Sequence, residues 1–129
     1  MAIRDLRKRT QQFALRTMRL AESLPRGRSG ETIGRQLVRA GTSVGANYRS
    51  ACRAKSQADF IAKMSVVEEE ADETIYWMEL LIEGGLVTPP ALLDLLREAN
   101  EIVAIAVASQ KTARGRRRER RTVPAPPPA

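Results

Sequence analysis

The chain has 129 residues, 43% of them hydrophobic and 29% charged, which suits one soluble domain with a modest core and leaves no apolar run near the roughly 20 residues that cross a bilayer. It contains no histidine and a single cysteine, Cys52, so the usual general base, the usual partner of a nucleophilic Ser or Cys, an internal disulfide and a cysteine-built metal site are all excluded. The net charge of +7 is uneven: residues 1–55 hold 13 Lys and Arg against 3 Asp and Glu, residues 56–113 hold 3 against 11, and residues 114–129 hold 6 against 1.

The first predicted helix runs from about Arg4 to Leu24, with Leu6, Phe13, Thr17, Leu20 and Leu24 at helical spacing among Arg and Gln residues, and Pro25 stops it. The stretch Pro25-Arg26-Gly27-Arg28-Ser29-Gly30 reads as a loop, with Ser29 as the expected N-cap of a second helix beginning near Glu31. That helix places Ile33, Leu37, Ala40, Val44 and Ala51 on one face, interrupted near Tyr48. It also carries the small residues Gly34, Gly41, Ser43, Gly45 and Ala46, of which the glycines cost most helix propensity, and this run points to close packing, within the bundle or between subunits. Ser56 with Asp59 three residues on forms a capping pattern for a third helix, whose seam is Phe60, Met64, Val67, Ala71, Thr74, Met78 and Leu81. Gly84 and Gly85 end it. Thr88 caps a fourth helix with Pro89 or Pro90 in its first turn and Leu92, Leu96, Ala99, Val103 and Ala106 as its apolar face.

Four helices joined by short loops predict an all-α, antiparallel up-down-up-down four-helix bundle over residues 1–113. Residues 114–129 read as a disordered Arg/Pro-rich tail, since apolar periodicity fades after Ala113 and the run Pro124-Ala125-Pro126-Pro127-Pro128 cannot continue a helix. The N-terminus has no apolar stretch behind its basic residues, so a cytoplasmic location is expected.

Little in the sequence supports catalysis. The di-iron bundle pattern needs Glu-x-x-His, there is no phosphate-binding glycine loop or dinucleotide fingerprint, and no cofactor is expected. The chain is therefore expected not to be an enzyme. Arg39, Ser43 and Asn47 recur every four residues on the second helix, as do Glu69 and Glu73 on the third, and the expectation is that they meet as a partly desolvated polar layer. Pairing with cations is the simpler role for the two glutamates than a carboxylate-only metal site. Cys52 reads as a small helix residue, although Arg53 and Lys55 beside it would make a thiolate easier to form. Tyr76 and Trp77 read as packing residues before stacking platforms.

Residues 35–87 strongly resemble the bacterial four-helix-bundle proteins called 23S rRNA-intervening sequence proteins. The marks are Gln36-Leu37-x-Arg39-Ala40, Ser43-Val44-x-Ala46-Asn47, Ser56 with Asp59-Phe60 and Lys63, and Glu69, Glu73 and Trp77 with Glu79-Leu80-Leu81. Phe13 with Leu24-Pro25 and the last helix extend the resemblance to roughly residues 10–112, leaving the tail outside it. Where an acidic residue often follows the Asn, this chain has Tyr48-Arg49-Ser50, which makes that end of the second helix more basic. The resemblance implies a homo-oligomer, commonly a pentameric ring, associated with nucleic acid. Related bundles, the accessory variability proteins of diversity-generating retroelements, work with a reverse transcriptase, which adds a possible protein partner of that kind.

On this reading the leading expectation is RNA or DNA binding by phosphate contacts without base reading. The candidate contacts are Arg4, Arg7, Lys8 and Arg9, then Arg49, Arg53 and Lys55, then Arg114, Arg116, Arg117, Arg118, Arg120 and Arg121. The alternative is a protein-interaction scaffold in which the basic half of one subunit docks on the acidic third helix of the next.

Overall fold

A computed structural model describes residues 6–122, with the backbone alone at 117 and 120–122. Every element in that range is helical: α1 Leu6–Glu22, α2 Arg28–Cys52, α3 Gln57–Glu83 and α4 Pro89–Thr122. Helices consecutive in the chain pack on one another, α1 on α2, α2 on α3 and α3 on α4, while α1 meets α4 along a thinner seam. This is the pattern of neighbours an up-down-up-down bundle requires.

The turns explain where each helix begins and ends. Gly27 adopts φ 146°, a conformation that side-chain-bearing residues avoid, and its carbonyl accepts the Glu31 N–H at 3.0 Å. Helix α2 therefore starts at Arg28, and Ser29, expected as the N-cap, lies inside its first turn; a glycine backbone rather than a hydroxyl sets this boundary. At α3 the expectation is met. The Ser56 hydroxyl accepts the Asp59 N–H at 3.0 Å, and the Asp59 carboxylate accepts the Lys55 N–H at 3.1 Å, a bond that holds the Asp59 carboxyl below its usual range. At the far end Gly85 takes φ 73°, the Leu86 N–H reaches the Leu81 carbonyl at 2.9 Å, and the Gly85 N–H reaches Ile82 at 3.0 Å. This paired closure is the Schellman arrangement.

The core is one layer between the helices: Leu6 and Phe13 from α1, Leu37 and Val44 from α2, Met64, Val67, Met78 and Leu81 from α3, and Leu92 and Ile102 from α4, all essentially solvent-free. The α3 seam is as read, apart from Phe60, which is half-buried. On α4 the buried stripe is Leu92, Leu95, Ala99, Ile102 and Ala106; Leu96 and Val103 flank it, so the face is turned by about 40° from the expected one. Tyr48 is buried, so the α2 stripe continues through it without interruption.

The glycines of α2 serve packing inside the chain. A Cβ on Gly41 would lie 2.4 Å from Thr17 Oγ1 and 2.8 Å from Thr17 Cβ, one on Gly45 would lie 3.3 Å from Thr10 Oγ1, and one on Gly34 would lie 3.7 Å from Ala21 Cβ. Partners that run backwards along α1 as the glycines run forwards show that the two helices are antiparallel. Thr10 and Thr17 are themselves buried, with hydroxyls donating to the carbonyls of Arg7 and Ala14. The small residues thus account for the α1–α2 crossing without a subunit contact.

Helix α4 continues past Ala113 to Thr122, further than the fading periodicity implied. Arg is a good helix former and the first proline after Pro90 is Pro124, so nothing in residues 114–122 stops a helix. Packing does end near the expected place: Ala113 is buried, and Arg114, Gly115, Arg116, Arg118 and Glu119 are exposed. Residues 123–129, with the proline run, lie outside the described residues. No helix among the described residues is long and apolar enough to cross a membrane.

Candidate nucleic-acid interface

Two ion-pair groups tie the basic half of the chain to its acidic half, and they decide which cations are left for a ligand. Arg9 closes the thin α1–α4 seam: its Nε donates to Glu98 Oε2 at 3.0 Å, its Nη2 to Glu98 Oε1 at 2.5 Å, and the same Nη2 to Glu101 Oε2 at 2.7 Å. The Arg9 and Glu98 side chains are only 14% and 17% exposed, and the fork-to-fork hydrogen bonds hold the Glu98 carboxyl below its usual range and raise the guanidinium. Arg9, a candidate phosphate contact by sequence, is therefore committed to its own bundle.

The second group joins α2 to α3. Arg39 pairs with Glu73 and, at 3.3 Å, with Glu70, and its Nε donates to Gln36 at 2.9 Å. The expected polar layer is corrected in three respects. The Arg39 side chain is 46% exposed, so the pair lies at the surface. Glu69 is exposed and Glu70 takes its place, because Glu69 stands two residues from both Val67 and Ala71 and so faces away from the seam. Ser43 and Asn47 donate to the carbonyls of Arg39 and Ser43 in their own helix instead of reaching α3. Glu73 also accepts from Trp77 Nε1 at 3.1 Å, and Trp77 meets Tyr76 edge-on with ring centres 5.1 Å apart.

Of the cations the sequence singled out, those left after these pairs gather at one end, whereas Arg19, Arg26, Arg28 and Arg35, also exposed, lie at or toward the other. Gly30 at the start of α2 lies against Leu86 of the α3–α4 turn, so the α1–α2 and α3–α4 turns share an end. The start of α1, the end of α2 and the end of α4 then occupy the other. There, a cleft of about 520 Å³ opens between α1 and α2. Arg7 stands on its α1 side and Arg49 and Arg53 on its α2 side, with Gln11 and Thr42 among the other polar lining groups and no carboxylate lining it. Arg7, Arg49 and Arg53 are all exposed and form no ion pair among the described residues. Behind them the Tyr48 phenol is pushed up to about 12, by burial first and then by its hydrogen bond with Cys52, so it stays a neutral hydroxyl near Arg7.

The other candidates are placed as follows. Lys8 and Lys55 are exposed at the same end. Arg114 is exposed and donates to Gln110 Oε1 at 3.3 Å, and Arg116 and Arg118 are exposed on the projecting part of α4. Arg117, Arg120 and Arg121 belong to that helix by backbone, and Arg4 lies outside the described residues. Sequence reasoning missed Gln110, 3% exposed, which donates to Glu68 Oε1 at 2.8 Å and ties α4 to α3; its signal was a polar residue one turn beyond the apolar stripe at Ala106. Among the described residues no group of three or more Asp, Glu, Cys or His could hold a metal ion.

A family model described as 23S rRNA-intervening sequence protein matches residues 4–108, which leaves the projecting end of α4 outside it. No curated protein matches the sequence. Among solved structures, the chain is similar to a crystal structure at 1.70 Å of a protein of unknown function from the S23 ribosomal protein family of Bacteroides thetaiotaomicron VPI-5482. The two are 32% identical with a TM-score of 0.72, over 81% of this chain and 97% of that one. With the four-helix architecture, the Ser56–Asp59 cap and the Arg39–Glu73–Trp77 group all in place within the matched stretch, the chain belongs to the 23S rRNA-intervening sequence protein family.

Proposed function

We propose that this protein is a non-enzymatic, homo-oligomeric, cytoplasmic RNA-associated protein that holds the phosphate backbone at the basic end of its bundle. The observation that carries the reading is the cleft with Arg7, Arg49 and Arg53 on its walls and no carboxylate among its lining residues. Like charges held together without counter-charges repel one another, and a polyanion relieves that repulsion while releasing its own condensed counterions. Guanidinium forks match phosphate oxygens two at a time, and the exposed arginines of the projecting α4 helix extend the same field. RNA is placed ahead of DNA because the matched family is described by 23S rRNA.

The test is filter binding of RNA and DNA across a salt series. Replacing both Arg49 and Arg53 by Ala should flatten the log–log salt slope by about 1.5–2 units, one for each phosphate that is no longer neutralised. An unchanged slope, or no binding at low salt, refutes the reading. Light scattering tests assembly, since a mass near 14.3 kDa at micromolar concentration would show a monomer. One observation favours the scaffold alternative. The solvent stripe of α3 carries Glu69, Asp72, Glu79 and Glu83 around Tyr76, which is 52% exposed, and none of the four carboxylates is ion-paired among the described residues. If that stripe seats the basic half of a neighbour, reversing two of its charges should dissociate the assembly, and the Arg49 and Arg53 substitutions should do the same.

A further inference from the structure

The α1–α2 cleft has a shape that phosphate binding does not require. Contacts to a backbone phosphate need only a convex basic surface, whereas this one is concave, and its volume falls in the range of small-molecule sites. The cause is the helix crossing just described. Gly45 lets α2 approach Thr10 closely, and Ala14 and Ala46 stop at Cβ on either side, so the floor between the two helices is low and largely apolar. Above that floor stand two neutral polar groups of different character. Thr42 donates its hydroxyl hydrogen to the Val38 carbonyl at 2.7 Å and so presents lone pairs, while Gln11, exposed, presents both a donor and an acceptor. Arg49 lies in the last turn of α2 and Arg53 is its C-cap, with Arg7 opposite them.

We infer that the cleft receives one unpaired nucleotide of an RNA strand, its base lying on the Ala14 and Ala46 floor and its phosphate held by Arg7, Arg49 and Arg53. This rests on the RNA reading above and adds the substrate class: single-stranded or bulged RNA in preference to duplex. A paired base is stacked and its edge is turned inward, so a duplex presents the three arginines with phosphates but leaves the floor empty. Without an aromatic side chain in the lining, selection among the four bases is weak, because only Gln11 and Thr42 address the base edges.

The experiment measures fluorescence anisotropy of the full chain with three labelled probes: a single-stranded RNA oligonucleotide, the same strand annealed to its complement, and an abasic strand of equal length that keeps every phosphate. The intact single strand should bind about tenfold more tightly than the other two, the factor expected from burying some 50–60 Å² of base surface. Ala46→Leu fills the cleft at an exposed position without changing charge; it should abolish that preference and leave the salt slope unchanged. Arg53→Ala should lower the slope and keep the preference for a base. Equal affinity for the intact and abasic strands, or a preference that survives Ala46→Leu, overturns the nucleotide site while leaving phosphate binding in place. Failure of all three probes to bind overturns both.

Discussion

Gly41→Ala is the sharpest test of how the bundle is packed, because two opposing effects can be weighed from the structure. Alanine in a helix interior is favoured over glycine by about 1 kcal/mol. Against this, the new Cβ would meet three atoms of Thr17 at 2.4–2.8 Å. Thr17 is fully buried, and its hydroxyl is held to the Ala14 carbonyl at 2.8 Å, so it cannot rotate aside without losing that bond. Its Cβ is fixed to the backbone, so α1 and α2 must separate, at an overpacking cost near the upper end of the usual range, about 3 kcal/mol. The net loss is about 2 kcal/mol, a fall of roughly 8 °C in Tm for a chain of this size. Gly45→Ala is the internal control. Its Cβ would lie 3.3–3.4 Å from Thr10, where a slight shift suffices, and stability should stay within about 0.5 kcal/mol of the native chain. Thr17→Ala added to Gly41→Ala removes the two nearest atoms and should recover part of the loss. Urea unfolding of the four proteins gives the comparison. If Gly41→Ala is as stable as the native chain, or Gly45→Ala is the more damaging of the two, the α1–α2 crossing does not explain the glycines.

Further outcomes follow from the ion pairs and the projecting helix. Arg9→Ala removes one partner of a mostly buried, doubly hydrogen-bonded pair and should cost about 2–3 kcal/mol at neutral pH. Because the Glu98 carboxyl is held below its ordinary value, that contribution is complete above the ordinary glutamate range and is lost as pH falls through the depressed value. The stability gap between native chain and variant should therefore narrow once pH falls below the ordinary glutamate range and vanish below the depressed value; a gap that stays constant throughout acid titration would mean that Arg9 acts through packing instead. Arg39→Ala, with its side chain 46% exposed, should cost less than about 1 kcal/mol by thermal unfolding, and a loss above about 2 would place the residue in a buried layer after all. Deleting residues 114–129 should leave Tm nearly unchanged, since Ala113 is the last buried residue among those described, and should weaken and flatten salt-dependent RNA binding; a large fall in Tm would show that the projecting helix supports the bundle.

The sequence by itself determined the helices and their punctuation wherever the signal was local. The α3 seam from Met64 to Leu81, its cap at Ser56 and Asp59, and its stop at Gly84 and Gly85 are one-dimensional patterns that the backbone converts directly into structure. Glu69 was legible too: its place two residues from Val67 and Ala71 assigns it to the solvent side, and only the repeat at intervals of four drew it toward Glu73. What the tertiary structure decided is which side chains meet across helices. That Arg9 would be consumed by Glu98 and Glu101 while Arg7, two residues away, stays open to the cleft depends on the angle at which α1 crosses α4. Nothing in residues 1–22 encodes that angle. The glycines likewise announced close packing, but Thr10, Thr17 and Ala21 became their partners only once α1 and α2 had an antiparallel register. Charge counting along the chain gives a basic half and an acidic half. The folded bundle divides the basic half again, into arginines neutralised by its own carboxylates and arginines left to face an anion, because Coulomb attraction depends on distance in space and the chain sets only distance in sequence.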